Sequence, residues 1–251
     1  MGEHDQAPGT SPLPPPTVVW SPPAMPSAPA GYLQFGGTPA KVEPTATLRT
    51  ASIIARFVGV AGSAIAGALF LYRARVVERV ASGQASRGDL DLPKTLATVA
   101  YQFGTFAGLA GTVLLCLWSS RTATNGTLVH ANTRASPGLA GGGWFIPVGN
   151  FWVPWRHLRR AMGPAPRSAA LAWWQGLTIA SSVAFIPIGV AAAIGAYREA
   201  VDREVSASIY RMQGFGLLAA AVTSVVTIIV SMRAMRDVDD ATSGRPLWPG
   251  A

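Results

Sequence analysis

The sequence predicts an all-α, polytopic membrane protein: four transmembrane helices arranged as two hairpins, with a central interfacial or re-entrant segment between them. Three observations carry this. Only 13% of the 251 residues are charged and the mean hydropathy is +0.31, whereas an ordinary soluble domain carries about 25% charged residues. Uncharged runs at 57–72, 95–120, 168–197 and 212–232 approach or exceed the ~18 to 20 residues that cross a bilayer as helix. Tryptophan, tyrosine and arginine recur at the ends of those runs, where interfacial anchors belong.

Residues 1–48 hold 11 of the 20 prolines and few large aliphatic side chains. They predict a disordered or polyproline II tail. It reads as a solvated tether; the functional alternative is a docking strip for a cytoplasmic protein partner, because extended proline-rich chain binds with little ordering cost. The acidic start, Met-Gly-Glu-His-Asp, does not resemble a cleaved signal peptide.

The membrane domain is expected over 49–236, with spans at about 50–72, 95–120, 171–197 and 212–232, and 237–251 as a short C-terminal tail. The first span carries Arg56 about one and a half turns inside its start. A long arginine there is expected to snorkel to the headgroups, the functional alternative being contact with an intramembrane anion or a partner. In the second span Gly104, Gly108 and Gly111 make a face that lets another helix approach closely, in the same chain or in a homo-oligomer through Gly104 and Gly108. Pro187 removes a backbone hydrogen bond from the third span and predicts a kink. The fourth has no charge.

Net charge is +8, and 18 of the 20 basic residues are arginine, a bias that suits a GC-rich bacterial genome. In a chain full of spans this charge points to anionic lipid headgroups rather than nucleic acid. Segment 121–169 holds six arginines and no acid, whereas the connections 73–94 and 198–211 hold eight basic and six acidic residues. The positive-inside rule then places the N-tail, the central segment and the C-tail in the cytoplasm of a bacterial cell, with the spans in the inner membrane. Six of the eight tryptophans fall at that same interface, and Tyr72, Tyr197 and Tyr210 at the other. The stretches beginning at Tyr72 and Tyr197 match at four positions with an offset of 125, which either records a duplicated hairpin or is chance in a narrow alphabet.

The central segment, 135–162, is the most informative. Positions 135–155 are uncharged but contain five glycines and three prolines, too many for a plain spanning helix. Irregular backbone at that depth has to be buried in protein or face water, so a re-entrant loop or an interfacial turn is expected. Gly141, Gly142 and Gly143 lack the Gly-Lys-Ser/Thr ending of a phosphate loop. From 151 to 162 the pattern becomes an amphipathic helix: Phe151, Trp152, Trp155, Leu158 and Met162 on one face, Arg156, His157 and Arg160 away from it, Arg159 at the border. Trp152, Trp155, Arg156, Arg159 and Arg160 are the candidate contacts to anionic headgroups at the inner face.

Trp118, Arg121, Asn125, Leu128, Arg134 and Ser136-Pro137-Gly138, followed by Gly143-Trp144-Phe145-Ile146-Pro147-Val148-Gly149-Asn150 and Pro154, resemble the signature of the domain-of-unknown-function family 4328. These are multi-pass membrane proteins of GC-rich bacteria. The resemblance covers about 50–236. It departs in two places: the stretch after Pro154 is more basic and lacks an acidic position, and Gly149 stands where alanine is expected. The resemblance implies a membrane fold and no settled activity. Arg121, Asn125, Arg134, Trp144, Pro147, Asn150 and Pro154 are the candidate structural or interaction residues.

No proposed span contains Asp, Glu or His, a single cysteine excludes an intrachain disulfide, and the three histidines are far apart. No enzyme, no metal site and no cofactor is therefore expected. The expected function is a membrane-anchored interaction or organising module with a cytoplasmic Trp/Arg-rich platform. The alternative is a small-molecule or ion transporter or channel component that uses the Gly/Pro-rich centre.

Overall fold

The computed structural model describes residues 41–130, 133–146, 148–165, 168–201 and 206–243, apart from the side chains of 184–188, 191–192, 196 and 199–201. The elements described are all helical: α1 (Ala46–Ala81), α2 (Asp91–Val129), α3 (Pro137–Gly142), α4 (Val153–Ala161), α5 (Ala169–Val201) and α6 (Ala207–Thr242). Among the described residues, three helices are long and apolar enough to cross a membrane: α1, α2 with the 3-10 turn that precedes it, and α6. The proline-rich stretch 1–40, Pro147, Arg167, the Pro187 side chain, part of the 202–205 repeat and 244–251 lie outside the described residues. The backbone of α5 is helical through position 187.

α1 and α2 form a hairpin. Gly83, with φ of +75°, supplies the left-handed residue that ends α1. Ser86 and Asp89 then cap a 3-10 turn, Arg87–Leu90, through reciprocal hydrogen bonds. The hairpin is closed by small residues: a Cβ on Gly62 would stand 2.6 Å from the Gly104 Cα, and Ser52 donates to the Gly111 carbonyl across 2.9 Å. The face that Gly104 offers is thus occupied by α1 of the same chain, where small residues let the two backbones meet closely.

α6 runs antiparallel to α1. Paired positions mark the register along its whole length: Asp239 with Thr45 and Arg49, Ser231 with Arg56, Tyr210 with Phe70 and Arg211 with Glu78. α5 packs on α6. The helices therefore follow one another as α2, α1, α6, α5, and over the described stretch of α5 there is no comparable packing of α5 on α2.

Both expected boundaries of the membrane domain shift outward. Thr45 is buried and Glu43 bonds to α2, so the ordered unit begins before position 49. α6 continues to Thr242 with Val238, Asp239 and Ala241 buried, so 237–242 is core and not tail. Charges at Arg233, Arg236, Asp237, Asp239 and Asp240 read as soluble chain, but their helix has an apolar face that α1 and α2 cover. Tyr210, expected as an interfacial anchor, is buried against Phe70 with the Arg73 guanidinium 4.1 Å from its ring centre.

The central segment folds as α3, two 3-10 turns (Gly143–Phe145 and Gly149–Phe151) and α4, laid along α2 from Cys116 to Gly126. A Cβ on Gly141 would meet the Cys116 carbonyl at 2.7 Å, and one on Gly126 would meet the Ala161 carbonyl at 2.4 Å. Ser136 caps α3, with Pro137 at the first helical position. The main core lies here, at the end of the bundle where α1 starts and α2 and α6 finish. We call it the tryptophan end.

Candidate functional site

The tryptophan end is held by one carboxylate. Asp239 on α6 accepts from the Thr45 hydroxyl (2.6 Å) and from Trp118 Nε1 (2.9 Å) on one oxygen, and from Arg49 Nη1 (2.5 Å) on the other. A single side chain therefore ties α6 to the start of α1 and to α2. Its counter-charge and two neutral donors satisfy the carboxylate where it is removed from water. Asn125, buried on α2, adds a second tie: its amide accepts the Glu43 N–H (3.0 Å) and donates to the Glu43 carbonyl (2.7 Å). Arg121, one turn earlier, pairs with the Glu43 carboxylate at 2.8 Å on the surface. Asn125, expected with Arg134 and Asn150 to tie the central loop to helix ends, instead ties the chain ahead of α1 to α2, and Arg121, a candidate structural or interaction residue, pairs with that same stretch.

Four indoles fill the space behind the clamp. Trp155 on α4 meets Trp144 edge-on at 4.9 Å and Trp174 on α5 edge-on at 4.6 Å, while Trp174 lies 6.4 Å from Trp118. Edge-to-face pairs of this kind contribute about 0.5 to 1.5 kcal/mol each beyond their burial. Three of the ring nitrogens find acceptors: Trp118 on Asp239, Trp144 on the Ser119 hydroxyl and Trp155 on the Asn150 carbonyl. Pro154 is fully buried beside them. Trp144 and Pro154 pack in this core and Asn150 contributes its backbone carbonyl, its side-chain Oδ1 being buried without a hydrogen-bond partner, whereas the Arg134 side chain is exposed and its carbonyl accepts weakly from Arg160.

The outward face of the central segment sorts the expected headgroup contacts. Trp155, at 0% exposure, is corrected: its ring packs into the protein, because α4 is covered by α2, α3 and α6. Trp152 is 53% exposed, and Arg156 and Arg159 are exposed. Arg159 is steadied by Gln175, which in turn donates to the Phe151 carbonyl. His157, placed by periodicity with the arginines, is buried, and its Nδ1 accepts the Ser136 N–H at 2.9 Å. Burial, with help from Arg160 and Arg156, holds its pKa below the ordinary histidine value, which keeps that acceptor neutral.

A second feature lies further along the helices. Arg56 extends across Gly111 to donate from Nη1 to the Ser231 hydroxyl on α6 (3.1 Å). The α1–α6 register puts Ser231 level with Arg56, so the guanidinium crosses the bundle instead of snorkelling toward its end. It borders a cavity of about 370 Å³ between the four long helices. The lining includes the hydroxyls of Ser63 on α1, Thr112 on α2, Thr178, Ser181 and Ser182 on α5, and Thr227 on α6. Ser63, Thr112, Thr178, Ser182 and Thr227 each donate to the carbonyl one turn back on their own helix. That is the cheapest way to hold polar oxygens in an apolar helix.

The model of the family described as Domain of unknown function (DUF4328) matches residues 82–236. The chain belongs to that family. No curated protein and no solved structure matches it. The DUF4328 match starts at the turn after α1 and stops before the end of α6, so it takes in the tryptophan cluster and three walls of the cavity. Arg56, Arg49, Thr45 and Asp239 lie beyond it. Sequence reasoning singled out Arg56 by its isolation in a span, but missed Asp239 entirely. Its partners are 121 to 194 residues away, and no local pattern announces them. Among the described residues no group of His, Cys, Asp and Glu could hold a metal ion.

Proposed function

We propose that this DUF4328 protein is a multi-pass protein of the bacterial inner membrane, with α1, α2, α5 and α6 as its four spans and both termini in the cytoplasm. In this reading it is a membrane-anchored interaction module. The tryptophan end is its platform, and the proline-rich tail recruits a cytoplasmic partner. We assign it no catalytic residue and no cofactor. For the fourth span, α5 supplies 33 helical residues with no charge from 168 to 197, more than the ~20 needed. For the orientation, the six uncompensated arginines of 121–169 belong on the cytoplasmic side.

One observation carries the platform. The outward side of the central segment exposes Leu139, Phe145, Ile146, Val148 and Trp152 next to Arg156 and Arg159. In water such a rim is a liability. At the inner interface the apolar groups enter the acyl boundary and the guanidinium groups reach the phosphates, at about 1 kcal/mol per arginine. Because α3 and α4 rest on the indole core, they present this rim as a fixed surface rather than as a loose loop. The packing along Cys116 to Gly126 supports an interfacial position over a deep re-entrant one.

A transporter or channel component is the second reading, and the Arg56 cavity is the observation that favours it. A single-cysteine scan from Leu139 to Asn150, on a Cys116→Ala background, separates the two. Cys116 is buried, which makes the background quiet. The platform reading expects membrane-impermeant thiol reagents to label Gly138→Cys and Gly142→Cys only after lysis, and Phe145→Cys and Val148→Cys to be protected in bilayers but reactive in detergent. Labelling of any of these positions in intact cells refutes it.

A further inference from the structure

Arg56 is held in place by one neutral partner. Ser231 accepts from Nη1 and passes its own proton to the Ile228 carbonyl at 2.7 Å, so the hydroxyl positions the guanidinium without offsetting its charge. Among the described residues no carboxylate pairs with Arg56. The nearest acid in register, Asp239, is already committed to Arg49 two turns away, about 10 Å along the helix. A guanidinium presents five N–H donors in a planar fork suited to an oxyanion. The wall opposite is hydroxyl-bearing and belongs to a different helix pair, so a bound anion would meet donors from several helices once hydroxyls such as Thr178 or Ser182 turn inward.

The cavity also has a direction. Toward the tryptophan end α2 and α5 meet at the Trp118–Trp174 contact, with Thr178 of the cavity lining one turn above Trp174. On the far side α1 and α6 close against each other at Gly67 and Gly214, where the Gly214 carbonyl would lie 3.0 Å from a Cβ on Gly67. Between α2 and α5 there is no such closure over the described stretch, and Gly108, which faces the cavity, has open space at its Cβ position. Among the described residues, Gly108 thus leaves the α2 side of the cavity unfilled.

We propose that the Arg56 cavity is an oxyanion-binding site for a carboxylate or phosphate head carried on a single acyl chain, which enters sideways between α2 and α5. The head pairs with Arg56 and the hydroxyls; the chain leaves through the α2–α5 opening into the lipid. A volume of about 370 Å³ lies at the small end of ligand pockets, which suits a head and a few methylenes. A free small anion shares the head chemistry, and competition separates the two sources.

Labelled dodecanoate binding to the full chain, purified in an uncharged detergent, tests this. We expect saturable binding of one molecule per chain, weakened tenfold or more by Arg56→Gln, partly restored in Arg56→Lys, and unchanged in Arg159→Gln, which alters the surface platform only. Gly108→Leu should block binding by filling the cavity while leaving Arg56 intact and the protein folded, so the test survives if an Arg56 variant is poorly made. Dodecanol, with the same chain and no charge, should fail to compete. Acetate and inorganic phosphate should also fail to compete at millimolar concentration. Equal binding to wild type, Arg56→Gln and Gly108→Leu overturns the site, and displacement of dodecanoate by acetate or phosphate overturns the lipid-borne source in favour of a free anion.

Discussion

Arg49 and Arg56 lie two turns apart on the same helix and meet opposite surroundings. Arg49 reaches a carboxylate that two other side chains, the Thr45 hydroxyl and the Trp118 indole, already hold at the end of α6. Arg56 reaches a serine and looks into a cavity whose hydroxyls at Ser63, Thr112, Thr178, Ser181, Ser182 and Thr227 donate to carbonyls of their own helices. The first environment is complete without any ligand. The second leaves a positive charge without a counter-charge among the described residues, inside an apolar bundle. Removal from water is costly for a charge unless it is paired. The difference separates an arginine that builds the structure from one that is available to something else.

The comparison breaks most severely at Asp239. Replacing it with alanine removes three hydrogen bonds and leaves the Arg49 charge unmatched, which should cost about 3 to 5 kcal/mol and lower the detergent-solubilised melting temperature, read by tryptophan fluorescence. A melting curve like that of wild type would mean that the clamp contributes nothing. Trp155→Ala should cost about 3 to 5 kcal/mol as well, since its ring is at 0% exposure. Trp152→Ala, three residues away and 53% exposed, should cost well under 1 kcal/mol but weaken retention on anionic vesicles. Equal effects of the two tryptophan changes would remove the distinction between core and rim.

Much of this was legible in the sequence. The uncharged runs found the long helices, the Gly/Pro density found the break in the centre, and the glycines of the second run found the close contact that Gly104 makes with α1. What was not legible depends on long-range partners. Periodicity put Trp155 on the apolar face correctly but could not say that protein, rather than lipid, covers that face. It put His157 among the arginines because it cannot see that α3 folds back to offer the Ser136 N–H. The stretch from position 237 reads as a tail because a carboxylate such as Asp239 looks solvated until its arginine, indole and hydroxyl are brought to it from other helices.

A smaller effect sharpens the same contrast at His157. Its pKa is lowered in the folded protein, so the unfolded chain takes up the proton first. The stability that neutral His157 provides is complete above about pH 6.5, and it is lost as the pH falls from there through the folded value. Melting temperature should thus decline on moderate acidification, and His157→Gln should flatten that part of the profile. An unchanged profile in the variant would assign the decline to other groups.

The most direct measurement compares the stability of Arg49→Gln and Arg56→Gln side by side, in the same uncharged detergent and without added lipid. The Arg49 change strips a buried carboxylate of its counter-charge and should cost about 2 to 3 kcal/mol, somewhat below the fully buried case because Arg49 is partly exposed. The Arg56 change removes one hydrogen bond to a serine and relieves an unpaired charge, so its cost should stay under about 1 kcal/mol. That ordering is the result expected if one arginine is structural and the other is free to bind. Equal losses, or a larger loss at Arg56, would show that Arg56 is also a fixed part of the frame, and the cavity beside it would no longer be a binding site.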